Sequence, residues 1–187
     1  MTPNADALLT LLAAHEAADA SEADSLRRIV ALIREQKAPF ARTSFTPGHL
    51  TASAVLVDAE RARTCLIHHT QLRLWLQPGG HFEPGETVPR LAAAREAREE
   101  TGLRLLNLEE APLLDVDVHT IPARQKGERH EPEHDHFDLR FLFVAEGDPQ
   151  AGEGTCAARW VALEALDSDL DAGLVRALGK VGSPGSE

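Results

Sequence analysis

The sequence predicts an α/β fold in which a mixed β-sheet lies between layers of helices, preceded by an N-terminal helical extension. Segments typical of strands lie on both sides of one strongly charged helical segment, residues 88–101. Apolar residues at helical spacing occupy residues 4–36, ahead of the first strand segment, and another helical pattern follows the last one. These three observations place helices before, within and after a strand-rich region.

Two helices are expected near the N-terminus, over residues 4–18 and 21–36. The first carries a cluster of leucines, namely Leu8, Leu9, Leu11 and Leu12. Ser21 is expected to be the N-cap of the second, with Asp24 three residues on. Apolar residues then follow at helical spacing, namely Leu26, Val30 and Ile33. These apolar stripes are expected to pack within the chain, with a homodimer contact as the alternative.

Six segments rich in β-branched and other apolar residues are expected to form strands. They are residues 51–57, 64–68, 72–77, 113–121, 137–145 and 158–163. A final helix is expected over 163–180, and a disordered tail over 181–187, where Gly, Ser and Pro are frequent. The predicted division is therefore a helical extension (1–48), a sheet-containing domain (49–180) and the tail.

Composition limits the classes of function. The 187 residues suffice for one domain with a substantial core. The formal net charge of −11 disfavours nonspecific binding to nucleic acid, because phosphate backbones repel an acidic surface. No apolar run approaches the roughly 20 residues that span a bilayer, and no secretory leader is recognisable. Cys65 and Cys156 lie far apart, so we expect a cytoplasmic protein without a disulfide or zinc scaffold.

Three carboxylates form the first candidate site. Glu96, Glu99 and Glu100 are spaced i, i+3 and i+4, so on a helix they share an arc of about 100°. Like charges at that spacing repel each other, and a divalent cation would relieve the repulsion. Hard oxygen ligands suit Mg²⁺ or Mn²⁺, which usually act on phosphate oxygens. Upstream, Gly79 and Gly80 allow the backbone to approach a metal or a phosphate closely.

These residues resemble the Nudix box, the signature of the Nudix hydrolase family, G-x5-E-x7-R-E-U-x-E-E-x-G-U with U aliphatic. The matching positions are Gly80, Glu86, Arg95, Glu96, Ala97, Glu99, Glu100, Gly102 and Leu103. Eight residues separate Glu86 from Arg95, one more than in the family, and Pro89 is among them. Proline is tolerated in the first helical turn, so the helix is expected to begin at Val88 with Thr87 as N-cap. The extra residue would then lie in the loop or the first turn, and residues 95–102 would keep the helical spacing of the family.

The resemblance implies a Nudix-like α/β/α sandwich over roughly residues 50–170. It implies hydrolysis of a nucleoside diphosphate linked to another group, such as a nucleotide sugar, a nucleoside triphosphate or ADP-ribose, with Mg²⁺ or Mn²⁺ as cofactor. The implied catalytic set is Glu86, Arg95, Glu96, Glu99 and Glu100. The Gly79 carbonyl, Glu99 and Glu100 are then metal ligands. Glu96 is a further ligand or the base that activates water, and Glu86 holds the catalytic carboxylates in place.

Other classes of function are weighed against hydrolysis. A Nudix-fold sensor would bind a nucleotide without turnover; loss of box carboxylates would mark it, and here all three are present. A Nudix-fold isomerase of isoprenyl diphosphates is disfavoured, because the hydrolytic box is intact and the chain has no tyrosine. An acidic interaction protein unrelated to the family would predict no effect of divalent metal on stability.

A second cluster lies downstream, where seven of the nine residues from 130 to 138 are His, Glu or Asp. If residues 134–140 are extended, alternate side chains from His134 to Arg140 share one face and the apolar ones share the other. Three interpretations stay open. The cluster is a polar loop, a substrate or catalytic site to which Glu131 or Glu133 supplies an acid, or a metal site in which His134 and His136 bind Zn²⁺ or Mn²⁺.

Substrate contacts are predicted around both clusters. Arg124 and Arg140 are candidate phosphate partners, because a guanidinium can engage phosphate at two positions. His81 directly follows the glycine pair and is a candidate contact to the diphosphate. The predicted substrate-binding set is His81, Glu133, His134, His136 and Arg140.

Overall fold

The computed structural model describes residues 3–126, 129–152, 154–167 and 169–182. Within these residues the α-helices are α1 (Pro3–Ala13), α2 (Ala20–Glu35), α3 (Pro89–Thr101) and α4 (Ala172–Gly179), and a 3-10 turn covers Leu163–Ala165. The strands are β1 (Gly48–Val57), β2 (Arg63–His69), β3 (Trp75–Leu76), β4 (Gly79–His81), β5 (Arg104–Leu105), β6 (Leu113–Ile121), β7 (Arg124–Lys126), β8 (Arg129–Glu131), β9 (His134–Glu146) and β10 (Thr155–Ala162).

The main sheet is mixed, as predicted. Its strand order is β10-β2-β1-β9-β5, with β6 also pairing with β9, β4 with β1 and β3 with β2, while β7 and β8 pair separately. β1 and β9 run parallel, and β4 and β6 are antiparallel to them. The parallel pair lies at the centre of the fold. Every residue of β1 is buried, which requires cover on both faces of the sheet.

Helices supply that cover, and alternate residues of β1 enter two different hydrophobic clusters. On one face Leu50 and Leu56 join the cluster that contains α3 and the N-terminal helices. On the other face Val55 and Val57 pack with α4, whose Leu174 is fully buried. The buried face of α3 is built from small side chains, namely Ala92, Ala93, Ala94 and Ala97. The α3 backbone can therefore lie close to the sheet, and the predicted α/β/α sandwich is confirmed.

The apolar stripes of the N-terminal helices pack within the chain, as expected, except that Leu11 is exposed. They contribute Leu8, Leu12, Ile29, Leu32 and Ile33 to the same cluster as Phe137 of β9. α2 lies along β6, where the Val118 N–H donates to Ser25 Oγ at 3.1 Å. This helical segment therefore completes one face of the sheet.

The boundaries between α1 and α2 differ from the prediction. α1 ends at Ala13 instead of residue 18, and the N-cap of α2 is Asp19 instead of Ser21. The Glu22 N–H donates to Asp19 Oδ1 at 2.8 Å, and the Ala18 N–H donates to Glu22 Oε2 at 2.6 Å. Because both side chains bond to backbone around residues 18–22, the preceding residues form a capping connection and not a longer helix.

The limits of α3 agree with the prediction to within one residue. The helix begins at Pro89, and its N-cap is Val88 instead of Thr87. Proline suits the first helical position, because the N–H it lacks would have no partner within the helix. The helix ends at Gly102, whose φ of 67° is left-handed and favours glycine.

Two further predicted elements are shorter than expected, and the other five strand segments are confirmed. Residues 72–77 reduce to Trp75–Leu76, because the chain turns at Arg73, which has a φ of 57°. The predicted final helix divides into Leu163–Ala165 and α4, and Asp171 caps α4 by accepting from two backbone N–H groups. Residues 183–187 of the predicted tail lie outside the described residues. No helix in the described part of the chain is long and apolar enough to cross a bilayer.

Candidate active site

Two glycines bring β4 into contact with the C-terminal half of α3. The Gly79 N–H donates to Glu100 Oε2 at 3.0 Å. A Cβ at Gly80 would lie 2.7 Å from Glu96 Oε1, and a Cβ at Gly79 would lie 2.3 Å from Ser53 Oγ. A side chain at Gly79 would therefore push β4 away from Ser53, whose Cα would lie 2.8 Å from the added Cβ, and one at Gly80 would displace the Glu96 carboxylate.

The Arg95 guanidinium organises the site. Nε and Nη2 donate to the two carboxylate oxygens of Glu86, each at 3.0 Å, in a bidentate pair. Nη1 donates to Glu96 Oε1 and to Glu99 Oε2, each at 2.9 Å. Nη2 also donates to the His81 carbonyl oxygen at 3.0 Å. One side chain thus connects β4, the loop that follows it and two carboxylates of α3. The longer spacing between Glu86 and Arg95 does not separate them.

The carboxylates of α3 lie in an electrostatically unfavourable environment. Burial raises the pKa of Glu100 to about 8, against the hydrogen bond from the β4 backbone, and the charges of Glu96 and Glu99 add to the shift. Burial also raises the pKa of Glu96, and the Arg95 guanidinium opposes that change. In contrast, the hydrogen bonds from Arg95 lower the pKa of Glu86. The site therefore holds more negative charge than Arg95 balances.

This donor set fits a hard divalent cation. Glu96, Glu99 and Glu100 offer carboxylate oxygens, which Mg²⁺ and Mn²⁺ prefer. The raised pKa of Glu100 indicates that the surrounding protein groups compensate its negative charge poorly. A bound cation would compensate that charge. The structure shows the Gly79 N–H bound to Glu100. The Gly79 carbonyl as a metal ligand stays a prediction.

Arg140, expected from the sequence to contact phosphate, lies instead in a buried network of carboxylates. Its Nε, Nη1 and Nη2 donate to Asp138 Oδ2, Asp115 Oδ2 and Asp117 Oδ2 at 3.1, 3.2 and 3.3 Å. Its side chain is only 3% exposed. All three guanidinium nitrogens are bonded to carboxylates, so this geometry corrects the expectation: Arg140 joins β9 to β6. In the sequence, the alternating Asp115 and Asp117 on one strand could have indicated acidic partners for this arginine.

The other downstream candidates lie nearer the surface. Arg124 Nε donates to Glu131 Oε2 at 2.6 Å, which connects β7 to β8. Glu133 is exposed in the connection between β8 and β9. The role of Glu133 as an additional acid stays a prediction.

The alternation predicted for β9 is confirmed, and imidazoles gather on its polar face. The ring centroids of His134 and His136 are 5.2 Å apart, and that of His81 lies 5.0 Å from His136. His49 of β1 lies 5.0–5.1 Å from all three rings, and sequence analysis missed it. Its signal was weak, a polar residue two positions before Thr51 on the same side of the strand. Burial lowers the pKa of His81 to about 3 and that of His136 to about 2.

A groove of about 930 Å³ lies beside Glu86, between residues 33–43 and the loop 82–87. Its lining includes the aromatic Phe40 and Phe82, the basic Arg34, Lys37 and Arg42, and the acidic Glu35, Glu83 and Glu86. The rings of Phe40 and Phe82 meet edge to face with centroids 4.9 Å apart. The α3 carboxylates do not line this groove, so it adjoins the charged site without containing it.

The fold and the site together define a class, an α/β/α protein whose carboxylate-bearing helix is held against a glycine pair. The NUDIX domain family model matches residues 47–178, so the chain belongs to the Nudix hydrolase family. The resemblance of the box is thereby confirmed. Members of this family act on small nucleotide derivatives.

Three solved structures are similar to most of this chain. A MutT Nudix hydrolase from Burkholderia pseudomallei is 26% identical, with a TM-score of 0.53, over 71% of this chain and 97% of that chain. A Nudix-family hydrolase from Clostridium perfringens is 25% identical over 71% and 95% of the two chains, with a TM-score of 0.47. An Ap4A hydrolase from C. elegans is 20% identical over 70% and 93%, also with a TM-score of 0.47.

Proposed function

We propose that this Nudix hydrolase is a divalent-metal-dependent pyrophosphohydrolase that cleaves a phosphoanhydride bond in a nucleoside diphosphate linked to another group. The observation that carries the proposal is the buried Glu100 carboxylate, bonded to the Gly79 N–H at 3.0 Å beside two further carboxylates of the same helix. Among the described residues, the Arg95 guanidinium provides the positive charge beside these carboxylates. Such a site favours a divalent cation, and through that cation the phosphate groups of a nucleotide.

Glu96, Glu99, Glu100 and the Gly79 carbonyl would hold Mg²⁺ or Mn²⁺. When bound, such a cation lowers the pKa of water and offsets the charge that develops on phosphate oxygens. The protein contributes the arrangement of these ligands. Because Arg95 bonds to Glu86, Glu96 and Glu99 together, the carboxylates are held in place before the substrate arrives, which lowers the cost of reorganisation during the reaction.

The proposed hydrolysis needs only the substrate and one water molecule. The oxygen of a water molecule bonds to phosphorus, and the bond from that phosphorus to the bridging oxygen breaks. A carboxylate of the α3 set accepts the proton of the water, and the bridging oxygen leaves on the departing phosphate. Glu86 acts through Arg95, because its two oxygens hold the guanidinium that positions the reactive carboxylates.

The groove beside Glu86 suits the non-reacting part of the substrate. Its basic side chains Arg34, Lys37 and Arg42 are exposed, and Phe40 adds an aromatic surface. Residues 33–43 belong to the N-terminal extension, so we propose that the extension (1–48) forms one wall of the substrate site of the Nudix domain (49–180). A nucleotide sugar, a nucleoside triphosphate or ADP-ribose each offers anionic groups to these three basic side chains and a planar group to Phe40.

Phosphate release from a panel of these nucleotides and of dinucleoside polyphosphates, with Mg²⁺, Mn²⁺ or EDTA, tests the proposal. Where the products lack a terminal phosphate, an added phosphatase liberates it. We expect activity that requires a divalent cation and falls by orders of magnitude in Glu100→Gln. The matched control is Glu110→Gln, which changes an exposed glutamate beyond the box. Circular dichroism of both variants shows whether the fold is retained.

Two results would contradict the proposal. Full activity of Glu100→Gln would show that the α3 carboxylates do not carry the reaction. Silence across the panel, with a nucleotide still raising the melting temperature, would identify a sensor that binds without turnover.

A further inference from the structure

We propose that His49, His81 and His136 form a second metal site, separate from the Nudix box, for a borderline divalent cation of the Zn²⁺ type. The three residues come from three adjacent strands, β1, β4 and β9. Their ligand nitrogens all lie within 4.8 Å of one another. Ligands of a tetrahedral zinc at about 2.1 Å are about 3.4 Å apart, so a small closure of the rings would suffice.

Strand pairing makes this arrangement a consequence of the sheet. His49 is directly opposite His136 in the parallel β1–β9 pair. His81 is opposite Thr51 in the antiparallel β1–β4 pair, two residues further along β1 from His49. Since alternate residues of a strand share a face, all three imidazoles project from the same side of the sheet. Their ring centroids are 5.0–5.1 Å apart.

Hydrogen bonding leaves this cluster unsatisfied among the described residues. His49 is fully buried, and its Nδ1 lies 3.0 Å from the Ser44 carbonyl oxygen, which can only accept. Nδ1 therefore carries the proton, and Nε2 carries a free lone pair. The Nε2 atoms of His49 and His136 are both buried without a hydrogen-bond partner. A buried polar atom left unpaired is costly, and a bound metal would satisfy two such atoms together.

The environment resembles that of a metal ligand shell. A ligating histidine usually bonds its other ring nitrogen to a carbonyl or a carboxylate, as His49 does with Ser44. His134 stacks on His49 with centroids 5.1 Å apart, and its own Nδ1 bonds to the Pro132 carbonyl at 2.7 Å. His81 and His136 are only partly buried, so an ion can enter from their side.

The donor type separates this site from the box. Imidazole nitrogens favour Zn²⁺, Co²⁺ and Ni²⁺, whereas carboxylate oxygens favour Mg²⁺ and Mn²⁺. The two sites are joined through His81, whose carbonyl accepts from Arg95 while its ring belongs to the histidine set. A metal at the histidines would therefore fix β4, and through it the guanidinium that holds the box carboxylates.

The test is titration of chelator-treated full-length protein with Co²⁺ and then Zn²⁺. Co²⁺ bound by a histidine set gives visible absorption, and Zn²⁺ competition gives the affinity. We expect one equivalent to bind with this absorption, and His81→Ala and His136→Ala each to weaken its binding by at least about 100-fold, because loss of an outer-shell partner alone costs 10–100-fold. The control is His130→Ala, an exposed histidine of β8, which should bind as the unaltered protein does.

A box variant separates this proposal from the hydrolase proposal. Glu99→Gln should lose hydrolysis and keep Co²⁺ binding if the histidines are the ligands. If either histidine variant fails to fold, imidazole proton resonances of the unaltered protein give a second readout, since Zn²⁺ should shift those of His49, His81 and His136 and leave that of His130 in place. Absence of stoichiometric binding, binding unchanged in both histidine variants, or binding lost in Glu99→Gln would each overturn the site.

Discussion

Replacing Glu22 by glutamine tests whether a buried charge fixes the N-terminal helices to the sheet. Glu22 is fully buried. Its Oε1 accepts from His15 Nε2 at 2.7 Å and from the Lys180 ammonium, and its Oε2 accepts from the Ala18 N–H at 2.6 Å. Lys180 also donates to Asp115 Oδ1 of β6 at 2.7 Å. The carboxylate therefore connects α2 to the C-terminal end of α4 and, through Lys180, to the sheet.

The pKa of Glu22 gives the size of the expected loss in the free energy of unfolding. Burial by itself would raise that pKa, but the hydrogen bonds from Lys180, Ala18 and His15 outweigh burial and lower it from 4.5 to about 2. One pKa unit corresponds to about 1.4 kcal/mol, so the ionised side chain favours the fold by about 3 kcal/mol. Breaking a buried ion pair by removing one partner costs a similar amount, about 3–5 kcal/mol. We expect Glu22→Gln to lower the free energy of unfolding by about 3 kcal/mol at pH 7.

Urea unfolding followed from pH 7 down to pH 3 measures this effect. The folded pKa lies below the unfolded value, so the contribution of Glu22 is complete above about pH 4.5 and is lost as the pH falls towards 2. The difference between the unaltered protein and Glu22→Gln should therefore narrow across that window. At pH 7 the melting temperature should fall by about 6–12 °C, from the scaling for a chain of this size.

The matched control is Glu16→Gln, an exposed glutamate in the connection between α1 and α2. Surface changes of this kind cost within about 0.5 kcal/mol. Equal losses for the two variants at pH 7 would refute the argument. So would a loss in Glu22→Gln that stays the same at pH 7 and pH 3, since it would come from packing and not from charge.

Three further outcomes are expected. Glu99→Gln should reduce turnover by orders of magnitude with the fold retained, and full activity in a phosphate-release assay would remove it from the site. Arg95→Lys should lower kcat about 100-fold, because an ammonium cannot pair bidentately with Glu86; unchanged steady-state kinetics would contradict the positioning role. Gly152→Ala should lower the free energy of unfolding by about 1–3 kcal/mol, since its Cβ would lie 1.8 Å from the Glu99 carbonyl oxygen. The control is Gly179→Ala, which should not lower it, because a Cβ there would meet no atom within 4 Å.

Prediction from the sequence succeeded where local spacing decides the outcome. The phase of Glu96, Glu99 and Glu100 on α3 follows from helical periodicity, and Gly102 ends that helix as expected. β6 has the predicted limits, residues 113–121, and the central strands were predicted within a few residues. The division of the chain at residue 48 stays a prediction, as does the oligomeric state.

Prediction failed where a partner far away in the sequence decides the role of a residue. Arg140 has the chemistry of a phosphate ligand, but Asp115, 25 residues away, takes part of its hydrogen bonding. Ser21 is a good N-cap by type, yet Asp19 holds that position and accepts from the Glu22 N–H, while the Glu22 carboxylate meets the distant Lys180. Neither outcome is visible in local spacing.

The Nudix box and its arc of carboxylates follow from the sequence alone, because helical geometry orders residues three and four positions apart whatever surrounds them. The class of reaction follows from the resemblance of that box to the Nudix hydrolase family. Which of the other polar residues face one another depends on how the strands pair in the folded sheet. His49 meets His136 because β1 and β9 run parallel in one register, 87 positions apart in the chain. Pairing between strands depends on the packing of the whole sheet, and that packing brings the three imidazoles together.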